Sequence, residues 1–167
     1  MPLNLIKKYN ALLELNGLNE KERKQSLRNI FSRDFEEKTV VFKGKNVTPT
    51  PVDDGKIAME TLFHHLITKV ENEELKNRVF DKDRAERLHW IRYHLELKKE
   101  GVLVFSTQEK QQKRTYIYDQ DEQYVIVLEP FKNGKSYYLL TAYKLKGKDS
   151  KRDKIMKKYK RKLPDLL

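Results

Sequence analysis

The chain has 167 residues, of which 38% are hydrophobic and 37% are charged, with a formal net charge of +11 and no cysteine. This length and apolar fraction fit one folded domain rather than a disordered chain, and the lack of cysteine excludes disulfides, cysteine metal sites and thiol nucleophiles. Neither a secretory signal nor a membrane span of about 18 apolar residues is present, so we expect a soluble, cytoplasmic protein with no membrane partner.

Two helices are predicted at the N-terminus. Apolar residues recur at helical spacing over residues 3–15, and a second helix begins after the N-cap Asn19 and ends at about Arg33. We expect these helices to form an appendage of residues 1–35, with the main domain over residues 36–167.

The middle of the chain predicts a short strand, a turn at Gly44 and an extended segment limited by prolines, followed by a break at Asp53-Asp54-Gly55. Two further helices are predicted over residues 56–70 and 81–99.

After Gly101 the pattern changes to strands. The segments GVLVFST, KRTYIYD, QYVIVLEP and KSYYLLTAYKL are rich in β-branched and aromatic residues and are joined by short polar turns. They predict a four-stranded antiparallel sheet, and DSKRDKIMKKYKRKL predicts a basic C-terminal helix. The expected fold is α+β: N-terminal helices, then the sheet packed against helices, then the basic helix.

The positive charge is concentrated near the C-terminus. Residues 144–162 hold eleven Lys or Arg and two Asp, a net charge of +9, so the other 148 residues share +2. Such a localised patch attracts polyanions, which favours a nucleic-acid partner. A lysine-rich segment that only keeps the protein in solution is the alternative.

The helix predicted over residues 81–99 carries the first candidate site residues. On a helical wheel Arg87 and His94 face the protein, with Arg84 one turn earlier, whereas His89 and Arg92 lie on the other side. Histidine suits acid–base catalysis near neutral pH, although a structural role is the alternative for each histidine alone.

His64 and His65 are adjacent in the preceding helix and diverge by about 100°. No histidine pair has the spacing of a helical metal site, so no metal is predicted.

The strands carry the second group of candidates. Alternation places Arg114, Tyr116 and Tyr118 on one face of their strand, and Thr141 and Tyr143 together on a face of the last strand. The same alternation groups Tyr137, Leu139 and Leu145 with Thr141, and places Tyr138, Leu140 and Ala142 opposite. A sheet face with arginine and tyrosine is typical of an RNA-binding platform, although tyrosine is also an ordinary strand residue.

From about Phe80 onward, the chain resembles the phage-borne branch of the barnase, EndoU, colicin and RelE-like nuclease superfamily. The resemblance rests on DKDRAERLHWIRYHLE, RTYIYD, QYVIVLEP and YYLLTAYKL followed by KKYKRK. It implies a metal-independent ribonuclease without a cofactor, whose site lies on the exposed face of the sheet. It places Arg87, Trp90 and Arg92 in the helical motif and Thr141 and Tyr143 in the closing strand.

We therefore expect an endoribonuclease of phage or toxin type that cleaves cellular RNA such as tRNA through attack by the 2′-hydroxyl. It would act in a bacterial or phage-infected cell, either made there or delivered, with an immunity or antitoxin protein as a second partner. The expected catalytic residues are Arg87, His89, His94, Thr141 and Tyr143. The expected nucleic-acid-binding residues are Arg84, Arg92, Arg114, Tyr116, Lys144, Lys157, Lys158, Tyr159, Lys160 and Arg161.

Two other functions remain open on the sequence. A non-catalytic RNA- or DNA-binding module of a phage or mobile element with the same fold would use the same basic segment. An interaction protein would instead present that segment to an acidic protein partner.

Overall fold

The computed structural model describes residues 2–9, 11–52 and 57–167. The helices are α1 (Pro2–Leu5), α2 (Glu20–Phe31), α3 (Ala58–Ile67), α4 (Lys82–Ala85), α5 (Trp90–Leu95), α6 (Gly147–Arg152) and α7 (Lys154–Lys160), with a π-helical turn at Ser32–Glu36. The strands are β1 (Val41–Phe42), β2 (Lys45–Pro49), β3 (Thr68–Asn72), β4 (Asn77–Phe80), β5 (Val102–Glu109), β6 (Gln112–Asp119), β7 (Tyr124–Pro130) and β8 (Ser136–Lys144). The prediction of a mixed α+β fold is confirmed. None of the helices described is long and apolar enough to cross a membrane.

The main sheet has six strands rather than the predicted four, in the order β1-β2-β8-β7-β6-β5. Strands β5 to β8 pair antiparallel with their neighbours, as the sequence predicts. Strand β2 adds to β8 in a parallel register that ends at Pro49 and Leu139. This pairing joins segments far apart in the chain, so no local pattern indicates it.

The two faces of the sheet carry separate hydrophobic clusters. The larger cluster packs strand residues such as Ile126 and Leu139 against Phe31, Phe63 and Ile91 of the helices. The smaller cluster lies on the opposite face and is covered by α7 through Ile155. Its buried members are Phe105, Tyr116, Tyr118, Val125, Val127, Leu145 and Ile155.

The predicted helix over residues 3–15 is wrong, because the helix ends at Leu5. The Asn4 side chain instead bridges to Glu14, donating to its carbonyl at 3.0 Å and accepting from its amide at 2.8 Å. Leu13 is 2% exposed, and its amide donates to the carbonyl of Glu86. The run of leucines therefore supplies the core from an irregular segment, which helical spacing alone does not distinguish from a helix.

Helix α2 is confirmed. The Asn19 side chain accepts from the amide of Glu22 and the Glu22 carboxylate accepts from the amide of Asn19, which forms a capping box. Ile30 and Phe31 are fully buried in the larger cluster beside the strand residues. The first 35 residues thus contribute to the same core as the sheet.

The two middle helices are shorter than predicted. Helix α3 ends at Ile67, and Thr68 begins the hairpin of β3 and β4, which the sequence analysis missed. The helix predicted over residues 81–99 divides into α4 and α5. The break predicted at residues 53–55 lies outside the described residues.

A β-bulge between β7 and β8 corrects the predicted alternation of the last strand. Val127 pairs with Thr141, whereas its neighbour Leu128 pairs with Leu139. The extra residue on β8 moves Leu139 to the face of the larger cluster, with Ala142, while Tyr143 packs on the smaller cluster. The sequence shows no glycine that would signal this bulge.

The basic C-terminal segment is helical, as predicted, but it forms two helices. Asp153 separates α6 from α7 and has a left-handed backbone with a φ of 43°. Its carboxylate accepts from the amide of Met156 and from the hydroxyl of Tyr118 at 2.9 Å. These contacts fix α7 against the sheet.

Candidate functional site

His94 lies inside the protein and is 1% exposed. Its Nδ1 is 2.8 Å from the carbonyl of Trp90, and its Nε2 is 2.9 Å from Oδ2 of Asp119. Both neighbours are hydrogen-bond acceptors, so both ring nitrogens of His94 make contacts inside the protein. His94 therefore takes part in a buried hydrogen-bond network and has no surface at which RNA could contact it.

Asp119 is the centre of this network. It also accepts from the Lys99 ammonium at 2.5 Å and from the Tyr9 hydroxyl at 2.8 Å. Burial raises the pKa of Asp119, but the hydrogen bonds from Lys99, His94 and Tyr9 outweigh burial and lower it to about 2. Burial raises the pKa of Tyr9 to about 12. The network ties the N-terminal segment to the end of β6.

Three other residues of the predicted helical motif also make internal contacts. His89 is 6% exposed, its Nε2 lies 3.0 Å from the carbonyl of Lys8, and burial lowers its pKa. Arg87 is 8% exposed and donates to the carbonyl of Asp83. Arg92 donates to the carbonyl of Asp34 at 2.6 Å. His89 therefore anchors the N-terminal segment and Arg92 the π-helical turn, whereas Arg87 contacts helix α4.

A different cluster lies where the hairpin of β5 and β6 meets α7. The Oε1 atom of Glu109 accepts hydrogen bonds from Lys158 at 2.5 Å, Tyr116 at 2.8 Å and Thr107 at 3.1 Å. The Oε2 atom makes no hydrogen bond with a described residue, and it is not buried. One oxygen of this carboxylate is therefore fixed, and the other faces solvent.

Glu109 lines a cleft of about 250 Å³ that also contains cations. We call it the Glu109 cleft; its lining residues are Thr107, Gln108, Glu109, Lys110, Lys158 and Arg161. Burial raises the pKa of Glu109, but the hydrogen bonds from Lys158 and Tyr116 outweigh burial, so the pKa lies below its usual value. Burial raises the pKa of Tyr116, which stays protonated. The cleft thus combines an ionised carboxylate with two exposed cations, Lys110 and Arg161.

The cleft borders the basic segment of residues 144–162. Within this segment Lys144, Lys146 and Lys158 form ion pairs with Glu122, Asp83 and Glu109 respectively. The remaining eight cations pair with no described carboxylate: Lys148, Lys151, Arg152, Lys154, Lys157, Lys160, Arg161 and Lys162. Most of the positive charge is therefore free to meet an external anion.

Two predicted catalytic residues, Thr141 and Tyr143, lie beside the bulge of β8 together with Arg84. The Nη1 of Arg84 donates to Oγ1 of Thr141 at 3.2 Å, and its guanidinium carbon lies 5.5 Å from the centre of the Tyr143 ring. Burial raises the pKa of Tyr143, which therefore stays protonated. The structure brings these three residues together but places Arg87, His89 and His94 elsewhere.

The other predicted binding residues are divided between packing and surface roles. Tyr116 and Tyr118 are 4% and 0% exposed, so their rings offer no open stacking platform. Arg114 pairs with Glu129 at 3.0 Å, and the Tyr159 ring packs on Phe105 with 5.2 Å between centroids. Exposed predicted residues of the basic segment are Lys157, Lys160 and Arg161.

Glu109, Thr107 and Lys110 are not predicted from the sequence. Glu109 and Lys110 lie at the tight turn joining β5 to β6, where Glu109 pairs with Gln112 and Lys110 has a φ of 51°, and Thr107 precedes this turn on β5. The polar turn between the two strands is visible in the sequence. The hydrogen bond from Lys158 to Glu109 is not, because it joins residues distant in the chain.

Comparison with protein-family models, with curated proteins and with solved structures finds no match for this chain. Among residues 2–9, 11–52 and 57–167, no group of three or more His, Asp and Glu side chains is arranged to hold a metal ion.

Proposed function

We propose that the protein is a metal-independent endoribonuclease whose site is the Glu109 cleft. The observation that supports this most is the state of the Glu109 carboxylate. Three donors hold its Oε1, Oε2 is open to solvent, and the residue lines a cleft with Lys110, Lys158 and Arg161. A positioned carboxylate among cations suits proton transfer beside a phosphodiester.

In this proposal Oε2 of Glu109 takes the proton from a ribose 2′-hydroxyl. The 2′-oxygen attacks the adjacent phosphorus, and the bond from phosphorus to the 5′-oxygen breaks. The Lys158 ammonium gives a proton to the leaving 5′-oxygen, and the products are a 2′,3′-cyclic phosphate and a 5′-hydroxyl. Lys110 and Arg161 stabilise the negative charge that develops on the phosphoryl oxygens.

The basic segment supports RNA as the substrate. Its eight cations without a described carboxylate partner would contact phosphates on either side of the cleaved bond. Contacts of this kind release counterions, so binding would weaken as the salt concentration rises.

A non-catalytic RNA-binding protein is the second candidate function. The observation that favours it is the ion pair of Lys158 with Glu109, which neutralises the carboxylate and is also compatible with a purely structural role. The Glu109→Gln variant separates the two functions, because it removes the base without removing the cations of the cleft.

The test is cleavage of total bacterial RNA and purified tRNA on a denaturing gel, with and without EDTA. We expect discrete EDTA-resistant fragments from the wild-type protein and no fragments from Glu109→Gln, although this variant still retards RNA on a native gel. Glu129→Gln is the matched control, since Glu129 also pairs with a cation on the sheet, and it should cleave normally. Intact RNA with the wild-type protein, or equal cleavage by Glu109→Gln, would contradict the proposal.

The pKa of Glu109 also predicts how the rate depends on pH. Because its pKa lies below the usual value of about 4.3, Glu109 stays ionised in mild acid. We expect the single-turnover rate to stay constant from pH 7 to about pH 5. A rate that falls steadily across this range would point to a histidine as the base.

A further inference from the structure

Two arginines from different elements converge on one carbonyl oxygen. Arg78 of β4 donates through Nη2 to the carbonyl of Thr68 at 2.9 Å, and Arg84 of α4 donates through Nη1 to the same carbonyl at 3.0 Å. Thr68 directly follows the last residue of α3. Two positive charges thus lie side by side at the C-terminal end of this helix.

Neutral oxygens hold Arg78 in place. It donates to Oγ1 of Thr68 at 2.8 Å and to the carbonyl of His65 at 3.3 Å, and no described carboxylate pairs with it. Arg84 has a carboxylate neighbour in Asp81, at 3.6 Å from its Nε. Burial, followed by the charge of Arg84, lowers the pKa of Arg78. Among the described residues, Asp81 is thus the one carboxylate within ion-pair distance of these two guanidinium groups.

Several donors at this position remain available for a ligand. Nη1 of Arg78 and Nη2 of Arg84 make no hydrogen bond with a described residue. Thr141 accepts from Arg84, so its own hydroxyl hydrogen is free to donate.

Two clefts lie near these residues. The pairing of β2 with β8 ends at Leu139, and a cleft of about 410 Å³ lies there, lined by His65, Leu139 and Leu140 among others. Arg84 itself lines a second cleft of about 170 Å³, together with Lys69, Tyr143, Lys144, Leu145, Lys146 and the carboxylates Asp81, Asp83 and Asp149.

We infer that Arg78, Arg84 and Thr141 form a binding site for a phosphate group. Two guanidinium groups and a hydroxyl offer donors from three elements, which suits a tetrahedral anion with several acceptor oxygens. The inference rests on residues outside the Glu109 cleft, so it does not depend on ribonuclease activity. The phosphate group belongs either to an RNA backbone or to a small phosphorylated molecule, since the recognising chemistry is the same.

The test is isothermal titration of the full chain with inorganic phosphate and with adenosine 5′-monophosphate. We expect saturable binding to the wild-type protein and at least a tenfold loss of affinity in Arg78→Gln. Arg23→Gln is the matched control, because the Arg23 guanidinium lies 3.7 Å from the centre of the Phe80 ring at the end of the same hairpin. This control removes the same charge and should bind as the wild type does.

Thr141→Val is a second variant, which keeps the shape of the side chain and protects the test if Arg78→Gln fails to fold. We expect it to weaken phosphate binding while leaving the circular dichroism spectrum unchanged. A short RNA that competes with phosphate would identify a backbone phosphodiester, and binding of the small phosphates without competition would identify a small ligand. No binding to the wild-type protein, or equal binding to wild type and folded Arg78→Gln, would overturn the inference.

Discussion

Asp119 shows how a buried charge is stabilised by its partners. Its carboxylate is 1% exposed and accepts hydrogen bonds from Tyr9, His94 and Lys99. Its pKa of about 2 in the folded protein lies below the value of about 3.9 expected when unfolded. Asp119 therefore contributes stability that is complete above about pH 4 and is lost as the pH falls towards 2.

We predict that Asp119→Asn lowers the free energy of unfolding at pH 7 by about 3 kcal/mol, because it removes the buried carboxylate that Lys99 and His94 contact, and the other carboxylate near Lys99, Asp121 at 3.7 Å, is exposed. The difference from the wild type should shrink between pH 4 and about pH 2. Urea unfolding at several pH values measures both effects. Asp121→Asn is the control, since the Asp121 carboxylate lies 3.7 Å from the same Lys99 but its side chain is 81% exposed. An equal loss of stability at every pH would contradict this role for Asp119.

At the scale of single residues, the sequence predicts some environments and few partners. The helical wheel places His94 on the protein-facing side, and the structure buries it, but His89 on the other side of the wheel is buried as well. The Asp119 contact and the Glu109 cleft bring together residues from separate elements. Neither set of partners follows from a local pattern.

At the scale of elements, helix α2 offers a direct test of a local signal. Asn19 and Glu22 form a capping box on its first turn. We predict that Asn19→Ala lowers the free energy of unfolding by about 1 kcal/mol, because the amide of Glu22 loses its acceptor. Denaturant unfolding measures the change, and Asn29→Ala within the same exposed helix surface is the comparison. Equal stability of Asn19→Ala and wild type would show that the cap contributes nothing.

The predicted elements succeed where the pattern is local and regular. Strands β5 to β8 follow from period-two alternation and short turns, and α2 follows from its cap. The predicted N-terminal helix does not continue beyond Leu5, because the Asn4 side chain bonds to the backbone carbonyl and amide of Glu14 in place of helical hydrogen bonds. Hairpin β3–β4 is not predicted because its sequence signal is short and weak. The parallel pairing of β2 with β8 is not predicted because it depends on residues distant in the chain.

At the scale of the whole molecule, the distribution of charge predicts how RNA binding depends on salt. Lys154, Lys157 and Lys160 are exposed cations of α7. Replacing all three with Gln should reduce the slope of log affinity against log salt concentration by roughly 2, at about 0.7 for each single-strand phosphate contact. Filter binding in the Glu109→Gln background, which we expect not to cleave RNA, measures the slope.

The matched control for this prediction replaces Lys21, Lys24 and Lys38, which are also exposed but lie outside the basic segment. It removes the same charge and should leave the slope close to that of the parent. Equal slopes for both triple variants would mean that net charge, rather than the basic segment, governs binding.

The most direct test of the central claim uses one RNA oligonucleotide in two forms. One form is all ribose, and the other carries a single 2′-deoxyribose at the position where the wild-type protein cleaves. We predict that both bind with similar affinity, that only the all-ribose form is cleaved, and that its product ends in a 2′,3′-cyclic phosphate. Cleavage of the 2′-deoxy form at the same bond would contradict attack by the 2′-hydroxyl, and with it the role proposed for Glu109.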